Sequence, residues 1–274
     1  MIPIFVISLK NSIKRREYVT SQLKALNLKY ELFDAYLGKD FYDNPNYYNE
    51  KKALKYEHRK LKVGEVGCSL SHNAIYKTIV TKKIPYALIL EDDVIIKQEL
   101  FEFLEDIEKY LYGNMIINIG RCEVYKKKKI KINDKFSMVK PRYIKQGGIA
   151  GAFGYIITFE AAKNIVNMNF PVYFPADAWG YFMKKTHMYG IIPRMSLVIP
   201  NLEHFNSTIQ SDGKGLTVEL NDSSKNIISN HSLPRFTEFQ LLRYGFLRQT
   251  FFGRFLVFIL RPFYRFLKKT LKRG

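Results

Sequence analysis

The opening of the chain constrains its fold more than any other stretch. Ile2–Leu9 is a short run rich in Ile and Val, the composition of a strand buried on both faces. Helical spacing follows, with Ile13, Val19, Leu23 and Leu26 apolar among Lys, Arg, Glu and Gln; Asn11 or Ser12 serves as N-cap and Asn27 as stop. Tyr30–Ala35 reads as a second strand. Strand, helix and strand in that order make a β-α-β unit, and such units build parallel sheets.

The rest of the chain continues the alternation. Residues 38–62 are polar and rich in Tyr, Lys and Asn, an excursion with one helix around 50–58. GEVGCSLSHNAIYKTIVTKK predicts a helix from about 65 to 82, and Pro85 opens a strand over Tyr86–Leu90. Glu99–Tyr110 is an amphipathic helix and Met115–Ile119 another strand. KKKKIKIND at 126–134 reads as a solvated surface loop. Gly147–Thr158 is a glycine-rich approach into a strand, without the spacing of a dinucleotide or phosphate loop. Glu160–Asn167 predicts a helix and Pro171–Trp179 an irregular segment. The chain divides at about residue 240.

ALILEDDVII, residues 87–96, raises the chemical question. Three carboxylates interrupt an apolar run, and ionised carboxylates repel one another and resist burial. Either a positive group meets them or the strand ends there in water. If the strand stays extended, Glu91 and Asp93 share a face and Asp92 points the other way. Two carboxylates so spaced, at the carboxyl end of a central strand, can hold Mg²⁺ or Mn²⁺ through oxygen. That edge is where open α/β sheets place ligands, and an ion there could neutralise a nucleotide diphosphate. An ordinary polar turn remains the alternative.

Charge narrows the partners. The chain carries 44 Lys and Arg against 25 Asp and Glu, a formal +19, which calls for an anionic partner. Hydrophobic residues at 47% exclude global disorder. Two cysteines, Cys68 and Cys122, exclude a disulfide framework and are expected as free, buried thiols. The N-terminus lacks the pattern of a signal peptide, and no apolar run reaches the roughly 18–20 residues that span a bilayer. A cytoplasmic location is expected. Residues 241–274 hold nine of the basic residues and no acid, interleaved with Phe246, Phe251, Phe252, Phe255, Phe258, Phe263 and Phe266. This suits a basic amphipathic helical tail, broken at Pro262, on an anionic membrane surface; docking on the chain's own preceding domain is the alternative. A nucleic-acid-binding protein would also use such charge and aromatics, but the basic excess sits at an apolar C-terminus and no nucleic-acid motif is present. No nucleic acid is therefore expected as partner. A catalytically dead membrane adaptor is a further alternative.

Several stretches together resemble glycosyltransferase family 25, which includes bacterial lipooligosaccharide galactosyltransferases. These are FVISLKNSIKRRE at 5–17, with Ser8 where the family commonly carries Asn, FDAYLGKD at 33–40, GEVGCSLSH at 64–72 and ALILEDDV at 87–94. Weaker likeness runs through GAFGYIIT at 151–158, PADAW at 175–179 and PNLEHFNSTI at 200–209, so it covers about residues 1–210. The resemblance implies a GT-A-like fold of Rossmann type: a mostly parallel mixed sheet flanked by helices, forming a catalytic domain over 1–240 with the tail at 241–274. It implies inverting, metal-dependent transfer of a hexose from a UDP-sugar to a lipid-linked oligosaccharide, a lipooligosaccharide or lipopolysaccharide core. Galactose in β-linkage is favoured; UDP-glucose and UDP-N-acetylhexosamine are the alternative donors. The implied location is peripheral, on the cytoplasmic face of a bacterial inner membrane.

Carried onto this chain, the resemblance puts Ser8, Leu9, Arg15, Arg16, Asp34 and Ala35 around the nucleotide half of the donor. Arg15 and Arg16 could equally be a solvated helix face. Glu91 and Asp93 take the metal and sugar roles, Asp93 the more direct ligand, with Asp92 orienting the loop. His204 stands where many metal-dependent GT-A enzymes carry a third ligand, or is merely structural. Ser71 and His72 either reach the cleft or pack their helix on the sheet. Asp177 is the candidate base for the acceptor hydroxyl, unless it only caps a short helix, and Trp179 is a candidate sugar-stacking platform.

Overall fold

The structure is a computed structural model and describes residues 2–122, 125–141, 149–194 and 197–201. The expected tail at 241–274 and the division near 240 lie outside these residues. The first half contains β1 (Ile4–Ser8), α1 (Ile13–Ala25), β2 (Glu31–Asp34), α2 (Glu50–Glu57), α3 (Val63–Thr81), β3 (Tyr86–Glu91), β4 (Val94–Ile96) and α4 (Leu100–Ile107). The second half contains β5 (Met115–Asn118), β6 (Arg121–Cys122), β7 (Tyr125–Lys131), β8 (Ser137–Pro141), β9 (Ile149–Ala150), β10 (Gly154–Thr158), α5 (Phe159–Met168), α6 (Trp179–Phe182), β11 (His187–Ile192) and β12 (Val198–Pro200).

The opening β-α-β unit forms as its pattern dictates. Val19 and Leu23 of α1 are fully buried, while Ile13 is left largely in water. The helix stops where Asn27 turns left-handed at φ 53°, and the Leu28 amide donates to the Leu23 carbonyl at 2.9 Å. Asparagine tolerates that conformation better than most residues, which is why it works as a stop.

Eight strands form one sheet in the order β2-β1-β3-β10-β5-β11-β8-β7. β2, β1 and β3 run parallel, as do β5 and β11, whereas β10 lies antiparallel between β3 and β5. The sheet is mixed, as expected, but only three of its seven adjacent pairs are parallel. The glycine-rich approach to β10 and the hairpin of β7 with β8 supply the antiparallel share. β7 also corrects the expected loop at 126–134. It is the outer strand, and Lys126–Lys129 all point into solvent. Lysines there suit an edge whose unpaired backbone would otherwise invite another strand.

Both faces of the sheet are apolar, so alternate residues of one strand feed different cores. Ile4, Val6, Leu88 and Leu90 pack with Val19 and Leu23 of α1 and with Phe103 of α4. Phe5, Ile7, Ala87 and Ile89 pack on the other side with Ile75 and Ile79 of α3 and Ile165 of α5. The result is three layers, helix, sheet and helix. Register then fixes what matters for function: Ser8 pairs with Asp34, and Ile7 with Glu91. The carboxyl ends of β1, β2 and β3 thus finish side by side.

α3 is fitted to that edge backbone to backbone. A Cβ at Gly67 would come within 2.7 Å of both the Tyr36 carbonyl and the Gly38 amide, and one at Gly38 within 1.9 Å of the Val63 carbonyl. Gly67→Ala gains up to about 1 kcal/mol in helix propensity. It loses about 1–3 kcal/mol to overpacking against a backbone that cannot rotate away. The variant is expected to melt a few degrees below the parent in a thermal denaturation scan; an equal or raised Tm would show that α3 and the 36–38 segment separate readily.

Candidate active site

The acidic run meets a positive group. Arg15, in the first turn of α1, donates from Nη1 to Asp92 Oδ1 at 2.9 Å and to Asp93 Oδ2 at 3.3 Å. Ser8 Oγ at the end of β1 donates to Asp92 Oδ2 at 2.5 Å. Asp92 is therefore the best satisfied of the three and the most buried, at 7% exposure. The expected strand alternation fails here because β3 ends at Glu91 and residues 92–93 turn into β4. Asp92 and Asp93 share a guanidinium, while Glu91 looks elsewhere.

Glu91 faces α3. Its Oε1 lies 3.3 Å from His72 Nε2 and 3.9 Å from Cys68 Sγ, residues that fall one turn apart on one helix face. His72 is 1% exposed, and its Nδ1 lies 2.6 Å from the Tyr155 hydroxyl, which is 2.5 Å from that of Tyr76. Burial raises both phenols above their ordinary values, so they stay neutral. Burial, and then the charges of Glu91, Asp177 and Asp93, push the Cys68 thiol upward as well.

Asp177 completes the acidic group. It follows Pro175 in an irregular segment, and the Gly151 amide hydrogen-bonds its carboxylate. Asp177 is exposed, yet desolvation by the surrounding protein and then the charge of Glu91 raise its pKa. Burial and the charge of Glu91 raise Asp93 to about 6 despite Arg15. Asp93 and Asp177 thus both feel the charge of Glu91, and the acidic group is drawn from two segments of the chain.

Other predicted residues build the frame. Arg16 donates through Nη2 to the Ser8 carbonyl at 2.9 Å and through Nε to the Leu9 carbonyl at 3.1 Å, and it pairs with Asp34. That hydrogen bond holds the Asp34 carboxyl below its usual value. The Ala35 amide donates to the Ser8 carbonyl at 2.9 Å. Ser71 accepts from the Tyr36 amide at 2.9 Å and donates to the Gly67 carbonyl at 2.7 Å, so its hydroxyl ties α3 to the segment after β2.

The structure corrects Trp179. It is 2% exposed, packs edge-on against Tyr155 and Phe182, and donates from Nε1 to the Gly151 carbonyl at 3.0 Å. A ring so enclosed cannot stack on a sugar; it sets the chain beside Asp177 instead. His204 lies outside the described residues. Asn201, the last of them, donates its amide to the Asp93 carbonyl at 2.7 Å. Sequence reasoning missed Cys68 and Tyr155 as parts of the site. The i, i+4 spacing of Cys68 and His72 was the signal for the first; nothing in the glycine-rich stretch singled out the second.

Residues 1–179 match glycosyltransferase family 25 (LPS biosynthesis protein). The chain belongs to glycosyltransferase family 25. It is 28% identical over 172 residues to the lipooligosaccharide biosynthesis protein lic2B of Haemophilus influenzae, covering 59% of this chain and 61% of that protein. It is 26% identical over 199 residues to human procollagen galactosyltransferase 2, covering 67% of this chain and 30% of that protein. The chain thus spans under two thirds of the length of either relative. A solved mannose-1-phosphate geranyltransferase from Thermus thermophilus superposes with a TM-score of 0.34 at 12% identity, over 70% of this chain and 74% of that one; so loose a likeness decides nothing. The family-25 match ends at Trp179, so it contains every predicted site residue except His204.

The raised carboxyl of Asp93 has a consequence for stability. The folded chain keeps its proton up to about pH 6, while the unfolded chain releases it near the ordinary value of 3.8. Between these the folded state binds more protons, so this group makes the protein more stable as pH falls. Relative to Asp93→Asn, the parent is expected to gain up to about 3 kcal/mol between pH 7 and pH 4, measured by urea denaturation. A difference that does not change with pH would show that Asp93 titrates normally.

Proposed function

We propose that the chain transfers a hexose, galactose first, from a UDP-sugar to a hydroxyl of a lipooligosaccharide or lipopolysaccharide acceptor, with inversion to a β-linkage on a GT-A-like domain. Family membership supports glycosyl transfer, and the relatives' names favour a galactosyl donor. The observation that carries the chemistry is that Glu91, at the carboxyl end of β3, acts through its charge on both Asp93, which Arg15 contacts, and Asp177.

The oxygen donors fit a hard divalent cation, Mn²⁺ or Mg²⁺, because the charge of Glu91 raises Asp93 and Arg15 answers only part of that. Asp93 and Glu91 would hold such an ion, which supplies charge neutralisation for the departing diphosphate. Arg16, fixed at the ends of β1 and β2, and Arg15, fixed at the turn after β3, would orient the nucleotide and meet its phosphates. Asp177 would take the proton of the acceptor hydroxyl as its oxygen bonds to the anomeric carbon and the bond to UDP breaks. A raised pKa suits that task, because a base works best when its pKa approaches the working pH.

UDP release from UDP-galactose, UDP-glucose and UDP-N-acetylglucosamine, each with Mn²⁺ and with EDTA, tests the reading. Release from UDP-galactose that EDTA abolishes is expected; equal release with EDTA would remove the metal, and silence together with no calorimetric UDP binding would remove the transferase. Asp177→Asn should lower turnover by roughly 10²–10⁴ while leaving UDP affinity unchanged. Loss of UDP affinity would make Asp177 a binding residue instead.

The acceptor's lipid gives the basic aromatic residues 241–274 a role, holding the enzyme on an anionic membrane surface. Among the described residues no helix is long and apolar enough to cross a membrane. The full chain should sediment with anionic but not with neutral vesicles, and equal sedimentation with both would remove the electrostatic part of this reading.

A further inference from the structure

Cys68, His72 and Glu91 offer a sulfur, a nitrogen and an oxygen that all lie within 4.8 Å of one another. Cys68 and His72 come from one face of α3, and Glu91 from the end of β3. A tetrahedral ion with bonds of about 2.0–2.3 Å needs ligand atoms roughly 3.3–3.8 Å apart. The Nε2 to Oε1 spacing is 3.3 Å and the Sγ to Oε1 spacing 3.9 Å. Sγ and Nε2 lie within 4.8 Å of each other, so side-chain rotations that close this pair by up to about 1 Å would admit the ion.

The surroundings favour a metal over a chance meeting of polar groups. The histidine is oriented from behind, its Nδ1 held at 2.6 Å by the Tyr155 hydroxyl, which Tyr76 holds in turn. A hydrogen-bond partner on the far nitrogen is the usual device that presents the near one to a metal. The helix is itself fixed, through Gly67 against the 36–38 backbone and Ser71 against the Tyr36 amide. Sulfur and imidazole select a different class of ion from the carboxylates around Asp93.

We propose that Cys68, His72 and Glu91 form a site for a thiophilic transition-metal ion of the zinc class, distinct from the hard cation of the donor site. Three protein ligands leave a fourth position to water or substrate, the pattern of a site that takes part in chemistry or is closed by a ligand. Binding displaces the thiol proton, so the sulfur enters as thiolate and one proton is released to solvent. Glu91 uses Oε1 here, and a carboxylate has a second oxygen for a neighbouring ion. The site would tie α3 to the end of β3, and so set the position of the strand end from which Asp92 and Asp93 turn.

Cobalt(II) titration of the full chain reads the site directly, because a thiolate bound to cobalt gives a near-ultraviolet charge-transfer absorption that oxygen ligands do not. One equivalent of cobalt should develop that absorption, and zinc should bleach it. Cys68→Ser should abolish the absorption, and His72→Asn should weaken cobalt binding by at least roughly tenfold. Asp93→Asn should leave the absorption in place whether or not the donor site binds Mn²⁺, which separates this site from the transferase reading. No charge-transfer band in the parent, or an unchanged band in Cys68→Ser, overturns the proposal. Since His72 is buried, near-ultraviolet circular dichroism of each variant checks that it folds; Cys68→Ser is nearly isosteric and decides the matter if His72→Asn does not fold.

Discussion

Arg15 reaches from the first turn of α1 to the turn between β3 and β4, where one nitrogen serves both Asp92 and Asp93. The helix is thereby joined to the point where the central strand leaves the sheet. Two ionised carboxylates at a half-buried strand end would each demand several kcal/mol of compensation. The guanidinium meets Asp92 almost completely, with Ser8 filling its second oxygen, and meets Asp93 only in part. That inequality orders the site. One carboxylate becomes structural, and the other keeps charge to offer.

Glu91 belongs to the opposite helical layer although it is only one residue from Asp92. β3 continues to Glu91 with its side chain toward α3, and the turn then redirects Asp92 and Asp93 toward α1. A single tripeptide thus touches both layers that flank the sheet. Asp177 approaches from a third direction, held by the Gly151 amide and by the enclosed Trp179 whose indole also binds Gly151. The acidic group is consequently fixed by a strand, two helices and an irregular segment, with no single loop responsible for it.

Much of this was legible in the sequence, and the parts that were not share a physical cause. The β-α-β opening, the limits of α1 and α5 and the strand leading to Glu91 follow from periodicity and from the Asn27 stop, which are local properties, although Ser12 stands at the start of α1 without a side-chain cap bond. The family motifs pointed to Arg15, Asp92, Asp93 and Asp177; Arg15 joins the two aspartates, and Asp177 feels the charge of the adjoining Glu91. What periodicity could not supply is direction after a turn. Alternation placed Asp92 away from Asp93, and the turn puts them on one guanidinium. The lysine-rich β7 escaped for a similar reason, because charge marks exposure and an edge strand is as exposed as a loop. Trp179 shows the reverse error. An aromatic near an acidic residue suggests a platform, but only the packing of Tyr155 and Phe182 reveals that the ring is already covered.

Asp93 and Asp177 are each raised by burial and then by the charge of Glu91. Each raised carboxyl is a group that folding makes less comfortable than it would be in water. A core fold with this much apolar burial on two faces can carry that cost, whereas a smaller one could not. Any cation that binds the folded chain and not the unfolded one returns the lost stability in proportion to its affinity. Binding and folding are therefore coupled at this edge with a definite sign. Positive ligands tighten the junction of α1, β3 and the Asp177 segment, and their departure loosens it.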